Sequence, residues 1–226
     1  MTDNVTDDAA AVRDLALETL GLPETWVEPK GYRDSLAMSA IDAVYSLRAH
    51  YTGVVNVLDR YRAVRRSKGA DPYQDSGPDL LAVVKSAGGD IAAATTLFDN
   101  HACCPGTTVL KSVGLANGVA ALERVGVTTA AHLREGSPST QAAAKTAWLS
   151  VHGLGITSWD YLEMNVGLQG VKADTMVRRF VTRAVGAQKP VSIDTARAAV
   201  KGAADLIGVS FKRLDHAIWR AQSGRR

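Results

Sequence analysis

Cysteine is nearly absent from this chain: Cys103 and Cys104 are its whole complement, and they are neighbours. Adjacent thiols are poorly placed to cross-link distant elements, and no second pair stands ready to complete a zinc site. His101 lies beside them, but His-Ala-Cys-Cys reads as a buried loop, and no metal is expected. Long apolar runs are missing as well. No segment of the 226 residues approaches the ~20 consecutive apolar residues that span a bilayer. The amino terminus, Met-Thr-Asp-Asn-Val-Thr-Asp-Asp, is acidic where a secretory signal is basic, so a soluble, cytoplasmic protein is expected. There is no internal repeat and no low-complexity tail.

Net charge is small, +3, but unevenly distributed. Residues 1–30 carry Asp3, Asp7, Asp8, Asp14, Glu18, Glu24 and Glu28 against Arg13 and Lys30. The carboxyl-terminal quarter is basic, with Lys172, Arg178, Arg179, Arg183, Lys189, Arg197, Lys201, Lys212, Arg213 and Arg220 among its cations. A second basic run, Arg60, Arg62, Arg65, Arg66 and Lys68, closes an earlier helix. Such asymmetry suits a protein with one face toward a polyanion, and it also describes ordinary solvated helix faces.

What the chain has in quantity is alanine, with Val and Leu at helical rather than alternating spacing, which predicts an all-α fold. Start and stop signals give the helices. Thr6-Asp-Asp opens one that Gly21 ends; another runs from Asp34 through Leu36, Ile41, Val44 and Tyr45; a third follows Tyr51-Thr-Gly53. Lys68 to Gly77 is the most loop-like stretch. Helices resume at Pro78 and near Asp90, break at Asn100 to Thr108, and continue over about Val109 to Arg124. A short capped helix covers Val127 to Arg134, Ser137 or Ser139 opens the next, Ser192 opens one ending near Gly208, and Ser210 caps the last.

Two segments carry chemistry. Leu149-Ser-Val-His-Gly-Leu-Gly-Ile-Thr-Ser-Trp159 has the form apolar, x, x, Gly, apolar, Gly, x, Thr or Ser. This is the pattern of a helix-hairpin-helix turn, in which Gly153 and Gly155 take backbone angles closed to other residues and leave room for a phosphate at the amides. Those amides head a helix that Thr157 or Ser158 would cap, and the dipole there favours an anion. The second segment, Val171-Lys-Ala-Asp-Thr-Met-Val-Arg-Arg-Phe180, sets Asp174 at the start of a helix whose Val177, Phe180, Val181 and Ala184 share one face. Arg178 and Arg179 lie off that face, available to phosphates.

In order and spacing these segments, over about Trp148 to Gly186, resemble the helix-hairpin-helix DNA glycosylases, the superfamily of endonuclease III and the adenine-mismatch glycosylases. The resemblance implies two helical subdomains flanking a cleft for DNA and an extracted base. One would be continuous, residues 50–155 and ending in the hairpin; the other would combine 1–49 with 156–226. Asp174 would stabilise the oxocarbenium-like transition state and orient or deprotonate the attacking water. Gly153, Gly155, Thr157, Arg178 and Arg179 would hold the DNA backbone. Double-stranded DNA is the expected partner, and a monomer the expected state.

Departures from the superfamily refine the expectation. Bifunctional members carry a lysine two residues beyond the second hairpin glycine; here that residue is Thr157, which implies base excision that leaves an abasic site without strong strand nicking. Lys111 or Lys172 remains as a lysine that could substitute from elsewhere. The four carboxyl-terminal cysteines that hold an iron-sulfur cluster in many members are missing, so neither cluster nor other cofactor is expected. His152 replaces a frequent proline. Trp159 is either a ring that stacks on an extracted base or a core tryptophan; Asp160 either reads the base or faces solvent. The stretch Asp42 to Tyr51 resembles the helix and turn that approach the duplex, with Tyr45 and Ser46 as base-pocket candidates and Arg48 or His50 as the wedge, or else is a plain buried helix and turn.

The leading expectation is thus a monofunctional DNA glycosylase acting on a damaged base or on a modified one, in repair or in defence against phage. The alternatives are a non-catalytic helix-hairpin-helix DNA-binding protein and a helical protein-interaction domain.

Overall fold

The computed structural model describes residues 2–28, 30–168 and 175–222, which contain twelve α-helices and no strand. In chain order these are α1 (Thr2–Thr19), α2 (Leu36–Tyr45), α3 (Tyr51–Ser67), α4 (Gly77–Ser86), α5 (Asp90–Thr96), α6 (Lys111–Arg124), α7 (Ala130–Glu135), α8 (Pro138–Leu149), α9 (Ile156–Asn165), α10 (Thr175–Ala184), α11 (Ile193–Ile207) and α12 (Phe211–Gln222). The expected all-α class is what forms. Among the described residues no helix is long and apolar enough to cross a membrane.

Two compact units result. One is Lys30–Leu168; the other joins the chain ends, Met1–Pro29 with Gln169–Arg226. The cuts implied by the resemblance, at 49/50 and 155/156, fall inside the first of these, so α2 and α9 both belong to it.

The 30–168 unit is built around α2. All ten of its residues are buried, because it is apolar on nearly every side and packs against α3, α4, α6 and α9. Ser35 caps it, its hydroxyl accepting from the Met38 amide at 3.1 Å. The stretch read as the loosest, 68–77, is held in place. Asp75 accepts a two-pronged ion pair from Arg65 and a 2.8 Å bond from the Tyr61 hydroxyl, and Ser76 forms a capping box with Asp79 at the head of α4. The same pairing alters the basic run of α3. Arg60 bonds Asp99, Arg62 bonds Asp59 and Arg65 bonds Asp75, so three of its five cations are engaged within the fold.

In the unit of the two chain ends, α1 lies along α11, and α10 and α12 pack beside them around Val12, Phe180, Val200, Leu214 and Ile218. Small residues permit the closest approach: a Cβ on Gly202 would stand 2.7 Å from that of Ala9. The described part of α1 begins at Thr2, four residues ahead of the Thr6 start. Ser192 and Ser210 cap as expected, and Gly208 ends α11 in the left-handed conformation.

Candidate functional site

The hairpin region is a pair of helices, α8 and α9, joined by a turn over 150–155. Gly153 has φ +92°, a conformation that side chains rarely adopt, and the Leu154 amide closes the turn on the Val151 carbonyl at 3.0 Å. The two glycines do different things. A Cβ on Gly153 would stand 2.7 Å from the Cβ of Cys104, so this residue packs inward on the Cys-Cys-Pro-Gly loop and does not open toward a ligand. Gly155 sits at the N-cap of α9 with φ −122°, is exposed, and has nothing within 4 Å of where its Cβ would be.

Nor is α9 capped by Thr157 or Ser158. Gly155 is the capping residue, with no side-chain bond to the first turn. The Ser158 hydroxyl turns inward, donating to the Gly155 carbonyl at 2.7 Å and accepting the Trp148 indole N–H at 2.9 Å. That exchange ties α8 to α9 and leaves Thr157 exposed at the helix's open end. First-turn amides have no ladder partner, so those of Ile156 and Thr157 form an uncovered donor pair at the positive end of the helix dipole.

The turn between α2 and α3 is the second exposed feature. Arg48, at φ +46°, and His50 are both exposed, as the wedge expectation requires of either. The pocket candidates next to them are not exposed. Tyr45 is 1% accessible, packed on Phe98 with ring centroids 5.1 Å apart, and burial raises the pKa of its phenol. Ser46 donates to Asp42 at 2.9 Å. Trp159 is fully buried in the core and Asp160 is nearly so, which makes Trp159 a core tryptophan. The reason is α2 itself: apolar almost all round, it draws α9 onto it, and Tyr45 and Trp159 both join the hydrophobic core of this unit. The hydroxyl of Tyr45 and the indole nitrogen of Trp159 are both buried without a hydrogen-bond partner.

Sequence reasoning missed what joins these two turns. Lys111, the first residue of α6, is only 2% accessible, and its ammonium donates to the Tyr45 carbonyl at 3.0 Å and the Leu47 carbonyl at 2.6 Å. Burial lowers its pKa, and the nearby Cys104 partly offsets that. Cys104 in turn fills the space at Gly153, and a Cβ on Gly114, one turn along α6, would come within 2.8 Å of its sulfur. The α2–α3 turn and the hairpin turn therefore rest on one support, the start of α6 and the loop before it. A lysine at a helix start reads as a surface residue, so nothing in the sequence pointed to this. Cys103 is exposed, Cys104 is buried, and His101 pairs with the Thr95 hydroxyl at 2.9 Å.

In the other unit, Arg179 is exposed, and Arg178 is half-buried with its Nε donating to the Val191 carbonyl at 2.9 Å. Asp174, the expected catalytic carboxylate, and Lys172 lie outside the described residues.

The model of a family described as a domain of unknown function, DUF8548, matches residues 10–223. The chain belongs to that family. No curated protein and no solved structure matches it. The DUF8548 match runs from α1 to the end of α12 and so takes in residues of both compact units, including both exposed turns and Asp174.

Proposed function

We propose that this chain is a monofunctional DNA glycosylase, which extracts a damaged or modified base from double-stranded DNA and hydrolyses its N-glycosidic bond to leave an abasic site. The observation that carries this reading is the open amino end of α9. Gly155 is exposed, caps the helix without a side chain and has free space above it, which is the arrangement that lets a phosphate reach backbone amides. Arg48 and His50, exposed on a turn that shares its support with the hairpin, supply the group that enters the duplex. Asp174 is the proposed catalytic carboxylate, and Arg178 and Arg179 add phosphate contacts.

Two facts favour excision without strand nicking. Thr157 occupies the position at which bifunctional helix-hairpin-helix glycosylases carry their lysine, and Lys111 is 2% accessible with its ammonium held on two carbonyls, closed off from a substrate. The protein is proposed to act as a cytoplasmic monomer without cofactor, in repair or in phage defence. Extraction of the nucleotide costs a few kcal/mol, which favours bases already mispaired, damaged or modified.

The second reading, a DNA-binding protein without catalysis, is favoured by the burial of Tyr45 and Trp159, which removes two expected walls of the base pocket. Incubation with genomic and phage DNAs of different modification, followed by mass spectrometry of released bases, decides between them. The glycosylase releases one base and leaves alkali-labile sites; the binding protein retains DNA and releases nothing from any substrate.

A further inference from the structure

Lys111 is a cation in an unfavourable place. It stands at the positive end of its own helix dipole and is almost fully withdrawn from water, a costly position for an unpaired ammonium. A methionine or leucine there would fill the core without that cost. What the ammonium gains is a position at the negative end of α2, on the carbonyls of Tyr45, its last residue, and of Leu47. The Leu47 carbonyl and the Arg48 amide belong to one rigid peptide plane. Fixing that oxygen at 2.6 Å therefore fixes the plane from which Arg48 enters its left-handed conformation, which is costly for a residue with a side chain.

We propose that Lys111 is the positioning residue of the Arg48–His50 turn, its ammonium clamping the end of α2 so that Arg48 is held ready to occupy the gap left by an extracted nucleotide. The proposal rests on the reading that this turn meets DNA. Lys111 touches no DNA itself, so its effect is specific: backbone affinity set at the hairpin stays, and preference for a duplex with a gap in its stack is lost.

The test uses the full chain, its Lys111→Met and Arg48→Ala variants, an intact duplex and the same duplex carrying a tetrahydrofuran abasic analogue. The wild type prefers the abasic duplex. Both variants lose that preference; Lys111→Met holds the intact duplex as before, while Arg48→Ala, which removes an exposed cation, binds both duplexes more weakly. In Lys111→Met, amide exchange at Ser46 and Leu47, which donate to the Asp42 and Val44 carbonyls, quickens by about tenfold while that of α9 is unchanged. Unchanged exchange at the turn overturns the clamp, whatever the DNA results. A preference that survives in Arg48→Ala overturns the underlying reading of the turn, and the proposal with it. Should Lys111→Met fail to fold, Lys111→Gln, which lacks the charge but keeps an amide donor, is read in the same way.

Discussion

Asp174→Asn abolishes base release and leaves DNA binding intact. A carboxylate below the sugar acts in two ways: its charge opposes the positive charge that develops as the bond to the base lengthens, and its oxygen orients or deprotonates water. Asparagine keeps the shape and loses both, so the rate of release falls by about 10²–10⁴-fold. Affinity for duplex DNA does not fall, since removing a negative charge near a polyanion cannot weaken its binding electrostatically. Single-turnover release and equilibrium titration, run on the same preparation, check the two halves. A variant that releases base at the wild-type rate removes Asp174 from the chemistry.

Gly153→Val unfolds the 30–168 unit at much lower denaturant. Two costs combine. At φ +92° a β-branched residue is strained, and its Cβ would stand 2.7 Å from the Cβ of Cys104, which is buried against α6 and cannot retreat. Together these amount to about 3 kcal/mol or more. Trp148 and Trp159 are fully buried in this unit, so in a background with Trp26 and Trp219 replaced by phenylalanine their fluorescence reports its urea transition. A midpoint equal to that of the wild type would show that the turn does not need its glycine.

The fold class and most helix ends could be read from the chain because they depend on local chemistry. Ser137 and Ser192 cap as serines do, and Gly208 ends a helix as glycines do. The finer site was less legible, because its determinants are distant in sequence. Gly153 matched the hairpin pattern, but its partner Cys104 lies in a loop that reads only as a break. Ser158 had the composition of a cap, yet it was drawn inward by the indole of Trp148. Tyr45 and Trp159 have the chemistry to line a base pocket, and burial in the hydrophobic core decided otherwise. Lys111 stood out only as a stray amine, and nothing signalled its place against the end of α2: a charged residue opening a helix is ordinary until the carbonyls of another helix are found against it.

The proposed glycosylase needs the amino end of α9 as its phosphate anchor, and Gly155→Asp blocks that end alone. At φ −122° with open space around it, an aspartate is accommodated, and it is a favoured N-cap, so the variant is at least as stable as the wild type. Its carboxylate, however, accepts from the amide of Thr157 or Ser158 and repels a phosphate. The measurement is the affinity of wild type and variant for duplex DNA across a range of salt concentrations, beside their urea transitions. With the anchor at this end, the variant loses affinity by about 10–100-fold at low salt, shows a shallower salt dependence and keeps an undiminished unfolding midpoint. Equal affinity in a well-folded Gly155→Asp would contradict that anchor.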